Sequence, residues 1–79
     1  MNFGNEIEHL AQEAKRNGQA ETPWLMLRNV YFRTGTPEQG WQAMVDCFTG
    51  MGIKATSEWR RLNGREVEFV LLTPKRLQE

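Results

Sequence analysis

The spacing of apolar residues along this chain divides it into five stretches of regular structure. Ile7, Leu10, Ala11 and Ala14 recur at helical spacing, with Glu6 and Glu8 at the start and Lys15 and Arg16 at the end. Those charges complement the helix dipole, so residues 5–17 are predicted to be a helix. Asn17 and Gly18 follow as residues that tolerate a left-handed stop. Thr36, Pro37 and Gln39 form a cap-then-proline pattern with glutamine in the capping-box position, and Trp41, Met44, Val45 and Phe48 continue it as an apolar stripe. The second predicted helix therefore spans residues 37–49, with Gly50 and Gly52 ending it. Residues 53–61 and 66–73 have strand character and flank Asn63-Gly64, which predicts a β-hairpin.

Residues 23–34 fit neither period cleanly. Thr22 before Pro23 resembles an N-cap followed by proline at the first helical position, with Gly35 as a stop, which favours a helix. The cluster Val30, Tyr31, Phe32 has strand propensity, which leaves a strand open as the alternative. The hairpin register has two solutions as well. A two-residue turn sets Trp59 opposite Glu68, whereas a three-residue bulged loop sets Trp59 opposite Phe69 and Arg60 opposite Glu68. The bulged form gathers Trp59, Phe69, Val67 and Leu71 together and is preferred on that pattern. The resulting expectation is an α+β domain of three helices and a C-terminal β-hairpin, winged-helix-like in its order. An α-β-α-β-β two-layer sandwich is the alternative if residues 23–34 form a strand.

The second half of the chain resembles a known family in its letters. Met51-Gly52-Ile53, Asn63-Gly64-Arg65 and Leu71-Leu72-Thr73-Pro74 resemble the helix end, wing tip and strand exit of MarR- and ArsR-like winged helix-turn-helix regulators, over roughly residues 36–77. The resemblance implies that the helix at 37–49 enters a DNA major groove beside the hairpin, and that the protein is a possible homodimer on a palindromic site. Gln39 and Gln42 would be its base-reading side chains. The outward positions of that helix, Glu38, Gln39, Gln42, Asp46 and Thr49, contain no Lys or Arg, a departure from what phosphate anchoring needs.

A length of 79 residues leaves room for a single small domain with one core, residues 1–79. Ten basic and ten acidic residues give a net charge of zero, which counts against a dominant nucleic-acid role. The charges are nonetheless unevenly placed. Glu6, Glu8, Glu13 and Glu21 dominate the start, and Lys54, Arg60, Arg61, Arg65, Lys75 and Arg76 gather in the last third among Glu58, Glu66, Glu68 and Glu79. One cysteine, Cys47, excludes an internal disulfide and a Cys-rich zinc site. No signal-peptide pattern and no long apolar run is present, so a cytoplasmic protein without membrane contact is expected.

Catalytic patterns are missing from the sequence. His9 is spaced with Glu13 on the polar side of the first helix, and Cys47 borders the apolar stripe beside Asp46. Gly35 to Trp41 has phosphate-loop spacing, but Trp41 and Gln42 stand where the lysine and hydroxyl are required. No enzyme activity, cofactor or metal is therefore expected. The expected function is a stoichiometric regulator or inhibitor that docks on a protein or nucleoprotein partner, for example a phage or mobile-element inhibitor of the anti-CRISPR type. Trp59, Arg60, Arg61, Arg65 and Lys54 of the hairpin are its candidate contacts, because Trp and Arg are enriched in binding hot spots. Interleaved Glu58, Glu66 and Glu68 offer the plainer reading of cross-strand ion pairs.

Overall fold

The computed structural model describes residues 3–33 and 35–75, with side chains from residue 6 onward. The described elements are α1 (Phe3–Asn17), β1 (Ala20–Pro23), α2 (Trp24–Val30), α3 (Pro37–Thr49), β2 (Ile53–Leu62) and β3 (Arg65–Pro74). The chain is mixed α+β, with three helices and one antiparallel sheet in the order β1-β3-β2.

The architecture corrects the sequence expectation in one element. A strand that the apolar pattern did not announce, β1, lies between α1 and α2 and pairs with β3, so the expected lone C-terminal hairpin is part of a three-stranded sheet. The α-β-α-β-β alternative is also overturned, because the ambiguous segment contains α2 and its strand precedes that helix. Thr22 is consequently not an N-cap. It is a buried β1 residue opposite Val70, and Pro23 takes the cap position without a side-chain hydrogen bond.

The remaining local signals act as their chemistry requires. Gly18 has φ +89° and its N–H bonds back to the Ala14 carbonyl, closing α1 with a residue free of Cβ strain. At α3 the Gln39 N–H donates to Thr36 Oγ1 at 3.2 Å and the Thr36 N–H donates to Gln39 Oε1 at 3.0 Å, a complete capping box.

Alternation along the sheet defines an inner face. Ala20 and Thr22 of β1, Val70 and Leu72 of β3 and Ile53 of β2 are all buried there. Ile7, Leu10, Ala11 and Ala14 of α1, Leu27 of α2, and Met44 and Phe48 of α3 complete the core from the helical side. Phe48, Leu27, Met44, Ile53, Leu72 and Val70 are fully enclosed, so loss of side-chain volume at these positions leaves cavities. Helix α1 packs on β1 and β3, and α3 packs on β2. The outer face, with Glu21, Glu58, Arg60, Phe69 and Leu71, has no helix over it.

The hairpin register is the second correction. Leu62 pairs with Arg65, Arg60 with Val67 and Trp59 with Glu68, so the turn is the two-residue form and the bulged pairing of Trp59 with Phe69 does not occur. Asn63 at φ 53° and Gly64 at φ 78° both adopt left-handed conformations, which matches the right-handed strand twist through a type I′ turn. The consequence reaches the surface of the molecule. Trp59 and Phe69 lie on opposite faces of the sheet, and Trp59 shares the inner face with Val70 and Thr22 beyond the end of the packed core.

Candidate binding groove

The candidate arginines separate into engaged and free groups. Arg60 stands on the outer face, where its guanidinium pairs with Glu21 of β1 and with Glu58 of its own strand at 3.1 Å. The same group lies 4.6 Å from the centroid of the Phe69 ring, so one side chain ties all three strands together. Its neighbours hold its pKa above the ordinary arginine value, chiefly through the Glu21 hydrogen bond, and that hydrogen bond lowers the Glu21 carboxyl. Arg61 reaches Glu66 at 3.3 Å across the hairpin, with both side chains well exposed. Lys54 and Arg65 are exposed and form no ion pair among the described residues. Arg76 lies outside the described residues.

The two glutamines assigned to base reading are held locally. Gln39 is occupied by the capping box, and Gln42 Nε2 donates to Asp46 Oδ1 at 2.9 Å one turn further along α3. Together with Glu38 and Asp46, these residues give the exposed side of α3 an acidic and already hydrogen-bonded character.

Trp59 is different. It is 60% exposed, although large aromatics usually bury most of their area, and Leu25 on α2 is 65% exposed. The two side chains line one groove of about 380 Å³ with Trp24, Arg65, Glu66, Val67 and Glu68. A neighbouring compartment of about 340 Å³ lies against Trp24, Pro37, Glu38, Trp41, Ser57 and Glu68. Trp24 and Glu68 belong to both, so the compartments adjoin between the start of α2, the start of α3 and the arm of the hairpin. Their floor is rigid. Trp24 is buried and meets Trp41 edge to face, with ring centroids 5.0 Å apart at 79°. Ser57 Oγ donates to Glu68 Oε2 at 2.6 Å, which fixes the carboxylate shared by the two compartments.

The hairpin was a candidate from its sequence, but Trp24, Leu25, Trp41 and Glu68 were not among the candidate contacts. Their sequence signal is a tryptophan directly after the Thr-Pro at residues 22–23, with leucine behind it. That signal reads as core until β1 turns the start of α2 toward the hairpin.

Among the described residues no group of three or more His, Cys, Asp or Glu side chains converges on a metal-sized site. Burial pushes the Cys47 thiol up from its ordinary value, which disfavours the reactive thiolate. No described helix is long and apolar enough to cross a membrane. Compared with protein-family models, curated proteins and solved structures, the chain matches none.

Proposed function

We propose that this protein is a non-catalytic, stoichiometric binding protein, a regulator or inhibitor that docks on a protein or nucleoprotein partner in the cytoplasm. The observation that carries this reading is the exposure of Trp59 over the Trp24 and Leu25 groove. An exposed tryptophan beside a preformed apolar groove is the usual composition of a hot spot, since little order is lost when a rigid ring is covered. The working residue of the hairpin is thus its tryptophan more than its arginines, because Arg60 and Arg61 already have carboxylate partners.

DNA is the less well supported partner. Glu38 and Asp46 on the exposed side of α3 repel phosphate, and among the described cations of the hairpin and its exit Lys54, Arg65 and Lys75 are without an ion pair while Arg60 and Arg61 are engaged. Affinity capture with the tagged chain, from a lysate of the organism whose machinery it meets, tests the reading. A protein partner recovered in defined stoichiometry after nuclease treatment supports it. Recovery of nucleic acid alone, with salt-sensitive gel shifts of duplex DNA, refutes it.

A further inference from the structure

We propose that the groove receives a basic, apolar segment of a partner protein, with a cationic side chain against the Trp24 and Trp41 pair and an apolar side chain two residues away against Trp59 and Leu25. This inference rests on the docking reading and names the chemistry of the docked segment.

The compartment against Trp24 and Trp41 joins two features that favour a cation. Its walls are indole rings, whose negative faces attract ammonium and guanidinium groups. Its charged lining is Glu38 and Glu68, with no lysine or arginine. Glu68 is held by Ser57 and retains acceptor capacity, while Glu38 forms no ion pair among the described residues. Arginine is favoured over lysine, because a planar guanidinium stacks on an aromatic ring and bonds a carboxylate at the same time.

The second compartment favours a different neighbour. Trp59, Leu25, Trp24 and Val67 give it apolar walls, and Glu66 is already engaged by Arg61. Arg65 is the one cation lining it, so an apolar residue fits there better than a second basic one. Because Trp24 and Glu68 border both compartments, side chains two apart in one extended segment, which share a face, reach both. Phosphate is disfavoured in the first compartment, since Glu38 and Glu68 line it without a cation.

The probes are three acetylated, amidated octapeptides that repeat two leucines followed by two arginines, two citrullines or two glutamates, so that leucine and its polar partner two residues on share a face; they are titrated into the isotopically labelled full chain and followed by NMR. The arginine peptide is expected to move the indole N–H signals of Trp24, Trp41 and Trp59 saturably. Replacing arginine by the neutral isostere citrulline should weaken binding about tenfold, and the glutamate peptide should not bind. Glu38→Gln and Glu68→Gln should each weaken the arginine peptide several-fold, with Glu58→Gln on the opposite sheet face leaving it unchanged. Equal binding of the arginine and citrulline peptides, tighter binding of the glutamate peptide, shifts confined to the outer face, or no saturable shift at millimolar peptide would each overturn the inference. A partner captured in a Trp59-dependent manner while these peptides fail leaves the docking reading standing and removes only the basic segment.

Discussion

Replacing Asn63 with alanine separates the two hairpin registers in a single measurement. Asn63 sits at φ 53°, is exposed and forms no side-chain hydrogen bond among the described residues, so Asn63→Ala removes no packing. What it changes is the tolerance for left-handed backbone, which costs an ordinary L-residue roughly 1–2 kcal/mol and asparagine less. The expected destabilisation is about 1 kcal/mol, or a Tm lower by roughly 4–8 °C for a domain of this size. Asn63→Gly carries no such strain and should stay within about 0.5 kcal/mol of the parent. Urea unfolding followed by tryptophan fluorescence measures both variants, with an unchanged slope confirming that only the native turn was perturbed. A neutral Asn63→Ala with a destabilised Asn63→Gly would refute the reasoning. Residue 63 would then have negative φ, as in a bulged loop, and Trp59 would leave the groove face.

Three further substitutions test the packing and the charge network. Gly40→Ala places a Cβ 2.7 Å from the Phe32 backbone carbonyl, so α3 has to shift, and thermal unfolding should show a loss of about 1–3 kcal/mol. Phe48→Ala empties the centre of the core and is expected to cost about 3–5 kcal/mol in chemical denaturation, enough to leave a small domain marginal. Glu21 has a folded pKa below its ordinary 4.5, so its contribution is complete above that value and is lost as pH falls through the lowered folded value. Glu21→Gln should therefore flatten the acid limb of the stability profile, and an unchanged acid limb would contradict the Arg60 bridge.

The parts of the fold that were legible in the sequence are those whose cause is local. Helix α3 announces itself through Thr36, Pro37 and Gln39, because a capping box satisfies its own backbone groups within four residues. Helix α1 is equally plain from Ile7, Leu10, Ala11 and Ala14, all of which are buried. Strand β1 was hidden because Ala20–Pro23 is short, half polar and ends in proline, and becomes a strand only by pairing with Phe69 to Leu72. The register departs from the hydrophobic pattern for a related reason. Setting Trp59 beside Phe69 assumes that two aromatics share a buried face, but the hairpin extends past the helices and Trp59 faces an open groove. Tight Asn-Gly turns decide the pairing there, and the hydrophobic pattern has no core to report.

The candidate site was half legible for the same physical reason. The hairpin drew notice through Trp59 and its arginines, yet which of those arginines remain free depends on Glu21 and Glu66 being brought alongside. Trp41 belongs to the apolar stripe of the sequence and packs at the edge of the core, and Trp24 is buried within it. Only the meeting of α2, α3 and the hairpin gives them a common open side.

The most direct test of the groove as the docking surface is the affinity of the captured partner for Trp59→Ala, alongside Arg60→Met as a change confined to the outer face. Trp59 is mostly solvent-exposed, so its removal should leave the Tm nearly unchanged while weakening the partner by about thirtyfold or more, as loss of a hot-spot tryptophan does. Undiminished binding by Trp59→Ala, with the loss falling on Arg60→Met after correction for its stability, would contradict the account and move the docking surface to the open face of the sheet.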